Sequence, residues 1–159
     1  MPLVGVISDT HGLVRPQALA VLAGVDHIIH AGDIGGPHVL VALRALAPVT
    51  AIRGNNDRQA WAEALRDRET ITIGEATFHI LHDVKELDLD PVADGVHAVI
   101  AGHSHRPRIE RRDGVLFLNP GSAGPRRFTR PVSVARVVVE RGRLEAEIVE
   151  LDVASSRAG

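Results

Sequence analysis

Leu3-Val4-Gly5-Val6-Ile7-Ser8-Asp9-Thr10-His11-Gly12 is the stretch from which the rest of the chain is best approached. Its apolar first half reads as a short buried strand. Its second half turns and presents a carboxylate and an imidazole two positions apart. Asp9 and His11, at i and i+2 on an extended segment, point the same way and can grip one divalent cation. Open α/β sheets place their ligand sites at the carboxyl ends of strands, which is where this pair falls. Alone the pair is a weak signal. Asp-x-His arises by chance, and a turn aspartate beside a satisfied histidine explains it as well.

The neighbouring segments strengthen it. Arg15 to Leu22 reads as a helix with Pro16 in its first turn and Gly24 as its stop. Val25 to His30 is a second strand, running into the turn-rich Ala31-Gly32-Asp33-Ile34-Gly35-Gly36. Pro37 to Leu46 is a second helix, and Val49 to Ile52 a third strand followed by Arg53-Gly54-Asn55-Asn56-Asp57. Strand, helix, strand, helix, strand at such short intervals predicts right-handed crossovers and a parallel sheet. Beyond a short helix around Ala60 to Leu65 the pattern changes. Glu69 to Ile73 and Ala76 to Leu81 flank Gly74-Glu75 as an antiparallel hairpin that ends at His82-Asp83. Val84 to Asp94 is a partly helical connection interrupted by Pro91. His97 to Ile100 is another buried strand, leading into Gly102-His103-Ser104-His105-Arg106-Pro107. Arg108 to Glu110 and Val115 to Leu118 flank Asp113-Gly114. Asn119-Pro120-Gly121-Ser122 is a loop, and Val132 to Glu140 and Leu144 to Leu151 form a last hairpin. No repeat or linker interrupts the chain, so residues 1–153 are expected to form a single domain and 154–159 a frayed tail.

Composition narrows the function. The chain has 159 residues, a formal net charge of -2 and no cysteine, which excludes disulfides and thiolate ligands. A balance so close to neutral gives no reason to expect a nucleic-acid or membrane partner. No signal peptide or membrane-length apolar run stands out, so a cytoplasmic protein is the expectation. The nine histidines are the compositional oddity, histidine being the commonest metal ligand.

The strand ends collect four of them, with carboxylates and an amide. Asp9 and His11, Asp33, Asn55, His82, then His103 and His105 each fall where a strand gives way to a loop. Seven oxygen and imidazole donors are too many for one tetrahedral ion and suit two cations sharing a carboxylate. The donor set favours manganese, with iron, nickel, cobalt and zinc as alternatives. Two such metals about 3.5–4 Å apart make hydroxide from a bridging water and neutralise charge at phosphorus, which predicts phosphoester hydrolysis.

The order of these pieces resembles the calcineurin-like metallophosphoesterase family. Asp9-Thr10-His11 matches its D-x-H block, Gly32-Asp33 its G-D block and Gly54-Asn55-Asn56-Asp57 its G-N-x-D/E block. His82 stands for the isolated histidine, and Gly102-His103-Ser104-His105 matches G-H-x-H. The short length and the Asn119-Pro120-Gly121-Ser122 loop look most like small prokaryotic phosphodiesterases of the YfcE type and their non-catalytic eukaryotic relative in the retromer complex. The resemblance implies an α/β fold, a four-layer α/β/β/α sandwich of two mixed sheets flanked by helices. It also implies that Asp9, His11, Asp33 and His105 hold one metal. Asp33 bridges, and Asn55, His82 and His103 complete the second. Two departures stand out. Many relatives carry a leaving-group acid, histidine, where this chain has Asn56, and His82 is followed by Asp83 where relatives often have glycine and a further histidine. Asn56 can donate a hydrogen bond to a phosphoryl oxygen but cannot protonate a leaving group.

Bland readings remain for the other residues. His27, His38, His79 and His97 match no block and read as surface or core histidines, His30 as a structural histidine in preference to a place behind the site, and Trp61 as helix packing. Residues 106–143 hold ten of the eighteen basic residues and only three acids. Most of these read as charges guarding edge strands, with Arg126 and Arg127 the candidates for phosphate contact. The expected activity is a metal-dependent phosphodiesterase or phosphatase acting on a small phosphoester. The alternatives are a metal-bound non-catalytic scaffold, kept alive by Asn56, and a nuclease, which the basic C-terminal half permits although aromatics for base stacking are scarce. Exposed edge strands are compatible with a homodimer.

Overall fold

The computed structural model describes residues 1–126, 130–141 and 143–153. Arg127 and the tail at 154–159 lie outside the described residues. The described residues form ten strands and two α-helices. These are β1 (Leu3–Ile7), α1 (Pro16–Leu22), β2 (His27–His30), α2 (Pro37–Arg44), β3 (Val49–Ala51), β4 (Arg68–Ile73), β5 (Ala76–Leu81), β6 (Ala98–Ile100), β7 (Arg108–Arg112), β8 (Val115–Asn119), β9 (Ser133–Glu140) and β10 (Arg143–Glu150).

The strands make two five-stranded mixed sheets, ordered β10-β9-β1-β2-β3 and β4-β5-β6-β8-β7. In the first, β1, β2 and β3 run parallel and β9 joins β1 antiparallel. In the second, β5, β6 and β8 run parallel between the antiparallel edge strands β4 and β7. The parallel strands are buried on both faces, which is why they read as continuous apolar runs rather than as alternations. Val4, Val6 and Ile29 of the first sheet meet Phe78, Ile80, Ile100 and Leu116 of the second in the layer between the sheets. The outer face of the first sheet is closed by α1 and α2 through Leu22, Ile28, Val39 and Leu43.

The α/β sandwich implied by the resemblance is therefore present, but its fourth layer is thin. Among the described residues, the outer face of the second sheet is met by the segment around Val84 to Val96, where Leu87, Leu89 and Val96 pack on Val99 and Val115. In that segment a 3-10 helix covers Val84–Glu86, and Asp83 accepts a hydrogen bond from the Lys85 amide. The helix expected around Ala60 to Leu65 is a 3-10 helix over Ala60–Ala64, with no side-chain cap. The second strand begins at His27 rather than Val25. Among the described residues no helix is long and apolar enough to cross a membrane.

Candidate metal centre

The carboxyl ends of β1, β2, β3, β5 and β6 all lead into one cluster of loops. Asp9 and His11 follow β1, Asp33 follows β2, Asn55 follows β3, His82 follows β5, and His103 and His105 follow β6. The loops are laced to one another by backbone hydrogen bonds. The Asp9, His11 and Gly12 amides donate to the carbonyls of Gly32, Asp33 and Ile34, and the Gly102 amide donates to His82.

Asp9 is fully buried. Its Oδ2 accepts from Ser8 Oγ at 2.7 Å and from the His103 amide at 3.0 Å. Its Oδ1 has no hydrogen-bond partner, and neither do His11 Nε2 and His82 Nε2. Around that oxygen stand His105 Nε2 at 3.3 Å, His82 Nε2 at 3.7 Å and His11 Nε2 at 3.9 Å. Asp33 Oδ2 lies 3.3 Å from His82 Nε2 and 3.8 Å from His11 Nε2. His82 Nδ1 donates to the Ala31 carbonyl at 2.7 Å, which leaves Nε2 as the nitrogen with a free lone pair when the ring is neutral.

Buried polar atoms without partners are costly, and those in native proteins call for an explanation. Here they converge. Asp9, His11 and His105 form one group whose ligand atoms lie within 4.8 Å of one another, and Asp9, Asp33 and His82 form another. Oxygen and imidazole donors at such spacing fit divalent transition metals. Asp9 is common to both groups, and Asp33 reaches His11 as well as His82.

Electrostatics follow from the crowding. Burial pushes His82 down, but the close Asp33 carboxylate, the hydrogen bond to the Ala31 carbonyl and the charge of Asp9 outweigh it and raise the imidazole to about 9. Burial likewise pushes Asp33 up, but its contact with His82 and the hydrogen bond it accepts from the Asn56 amide overcome this and hold the carboxyl well below its ordinary value. Asp9 is also lowered against its burial, chiefly by His105 and His82.

Asn55 and His103 sit at the margin. His103 is 46% exposed at its side chain, with Nε2 3.8 Å from Asp83 Oδ2 and its ring edge-on to His82, centroids 5.2 Å apart. Asn55 is exposed and lines the same depression as His82 and His103. Asn56 faces Asp33. Its amide donates to Oδ1 at 2.9 Å and its Nδ2 to Oδ2 at 3.1 Å. Arg126 is exposed and lies near Arg15, whose guanidinium is lowered by burial and then by Arg126. Four of the ten basic residues in 106–143 are engaged within the protein's own strands. Arg108 and Arg112 pair with Glu110, Arg111 bonds the Leu144 carbonyl, and Arg136 pairs with Glu147.

Residue patterns alone missed the supports. Asp57 accepts from the amides of Ile34, Gly35 and Gly54 at 3.0, 3.1 and 2.9 Å, tying the Asp33 loop to the Asn55 loop. Ser122 Oγ donates to the Asp9 carbonyl at 3.1 Å, and Asn119 Nδ2 to the Gly102 carbonyl at 2.8 Å. The signal for Asp57 was its place in the third block. Ser122 and Asn119 belong to a loop that was noticed but given no role. His30 is the structural support it was read as. Fully buried, it is lowered to about 4 by that burial, and so is neutral. Thr10 Oγ1 donates to the Ile34 carbonyl, so His30 Nε2 donates to Thr10 while Nδ1 accepts from the Gly32 amide.

Residues 3–142 match the calcineurin-like phosphoesterase superfamily domain. The chain belongs to that superfamily. A probable metallophosphoesterase of Methanothermobacter thermautotrophicus is 35% identical over 158 residues, covering 92% of this chain and 91% of that protein. A phosphodiesterase of Methanocaldococcus jannaschii is 28% identical over 136 residues, covering 74% of this chain and 82% of that one. Among solved structures, wild-type Vps29 of Entamoeba histolytica complexed with zinc is 26% identical, with a TM-score of 0.72 over 93% of this chain and 98% of that chain. The curated relatives of that superfamily carry metallophosphoesterase and phosphodiesterase names, and the Asp9–His11–Asp33–His82–His105 cluster is this chain's candidate metal centre.

Proposed function

We propose that this superfamily member hydrolyses phosphodiesters, and monoesters less readily, with two divalent cations. Asp9, His11, Asp33 and His105 hold one, and Asp33, Asn55, His82 and His103 hold the other. The observation that carries the reading is the convergence of Asp9 Oδ1, His11 Nε2 and His82 Nε2, all buried and without hydrogen-bond partners. When bound, such cations would activate water near neutral pH and offset phosphoryl charge. The protein's own contribution is placement. Asp33 is aimed by Asn56, His82 by the Ala31 carbonyl, and Asp9 by Ser8 and the His103 amide. Asn56 uses one Nδ2 hydrogen on Asp33 and has a second for a phosphoryl oxygen. It cannot deliver a proton to the departing oxygen, so esters with acidic leaving groups are expected to react best. Arg126 at the rim, with Arg127, would meet further phosphate charge.

The same asparagine favours a second reading, a metal-bound interaction module like the retromer relatives. Metal content and hydrolysis of bis-p-nitrophenyl phosphate after manganese loading separate the two, with Asp33→Ala as control. Near two metals per chain and turnover that vanishes in the control are expected. Two metals with no turnover would favour the interaction module, and failure to bind metal would sink both.

A further inference from the structure

The thin cover over the second sheet stops short of the metal centre. The uncovered part is a groove of about 400 Å³ that has His103 as one wall. Its floor is apolar, with Val99, Ala101 and Phe117. Its rim is cationic. The Arg112 guanidinium lies over the Phe117 ring, 4.6 Å from the centroid, and Lys85 and Arg106 stand at the edge. The acids of the groove are already engaged, since Glu110 is taken by Arg108 and Arg112, and Asp83 faces His103. Among the described residues Lys85 and Arg106 make no ion pair. The depression on the other side of His103 is different, because its Arg53 and Arg68 are neutralised by Asp67 and Asp88 at 3.1 Å each.

We infer that this groove receives the organic ester group of the substrate, and that this group is a planar ring bearing a second negative charge, as in a nucleotide. The inference rests on the phosphodiester reading. His103 belongs both to the candidate centre and to the groove wall, so a phosphoester bound at the centre would have the groove beside it. A flat ring is accommodated by an aromatic and guanidinium platform, on which bases stack without hydrogen-bond readout. The second anion finds its counter-charge in Arg106 and Lys85, the groove's two unpaired cations. The volume is that of a small-molecule site, with an apolar floor under a charged rim.

The test is equilibrium binding to the manganese-loaded protein, by calorimetry, of inorganic phosphate, phenyl phosphate and adenosine 3′,5′-bisphosphate. Affinity is expected to rise in that order, by about tenfold or more between phosphate and the bisphosphate. Lys85→Gln with Arg106→Gln, both at exposed positions, is expected to bring the bisphosphate down to the level of phenyl phosphate. Phe117→Leu is expected to reduce the gain of phenyl phosphate over phosphate, with a thermal melt confirming the fold. Equal affinities for the three ligands, or variants that leave the order intact, would overturn the groove assignment. Ring-dependent binding without hydrolysis of any diester would count against the proposed activity alone. Hydrolysis with no preference for ring or second charge would count against the groove alone.

Discussion

Asp9, His11, Asp33, His103 and His105, five of the seven candidate ligands, have positive φ, between 47° and 69°. That region costs a residue with a side chain roughly 1–3 kcal/mol and persists only where the surroundings impose it. Asp57 is part of what imposes it, because one carboxylate accepts three backbone amides from two loops. Asp57→Asn leaves the shape almost unchanged but turns one accepting oxygen into a donor facing donors. The expected loss is about 2–4 kcal/mol, since hydrogen bonds to a buried charge are worth about 1.5–3 kcal/mol and an unmatched donor costs more. Urea unfolding would show it as a lower midpoint at unchanged slope, and a midpoint equal to wild type would remove Asp57 from this role. The residue type at 57 was visible in the sequence. Its work was not, because its partners at Ile34 and Gly35 are backbone groups 22 or 23 positions away, which side-chain patterns do not encode.

The strand ends show what was legible and what was not. Hairpins such as β4–β5 and β7–β8 were readable because Gly74-Glu75 and Asp113-Gly114 supply the turn chemistry between them. The alignment of β6 between β5 and β8 was not readable residue by residue, because parallel neighbours are distant in sequence and share no turn. The resemblance supplied that level of the fold, and the site blocks supplied the ligands. Close approach of elements is also hidden until it is seen in three dimensions. Gly102, at the exit of β6, sits so near the β1 loop that an added Cβ would collide with Ser8 Oγ and come within 2.6 Å of Asp9 Oδ2. Gly102→Ala should therefore push the β6 loop, with His103 and His105, away from Asp9. The expected result is a folded protein that is about 1–3 kcal/mol less stable, as for overpacked sites. Its metal content should fall below that of wild type. Full metal content in this variant would show that the two loops need not touch.

At the scale of the molecule, the candidate centre is where the two sheets are joined by charge. Asp9, His11 and Asp33 come from the first sheet, His82 and His105 from the second. Without metal the joint is His82 held between Asp9 and Asp33. Because His82 is raised from 6.5 to about 9, its stabilisation is complete below pH 6.5 and is lost as pH rises through about 9. Asp9 and Asp33 are lowered, so their contribution is present above their ordinary 3.8 and is lost on acidification through their folded values. The metal-free protein should then be most stable between those limits and soften from pH 6.5 to 9. A divalent cation needs His82 neutral and competes with its proton, so metal affinity should climb across the same range and level off above it. A free-metal concentration about a hundredfold above Kd adds about 2.7 kcal/mol, or about 5–10 °C in Tm for a chain of this size. The gap between metal-loaded and chelator-treated melting temperatures should accordingly widen from pH 6.5 to 9. A gap that narrowed, or a metal-free Tm flat over that range, would mean that His82 does not carry the proton that joins the sheets.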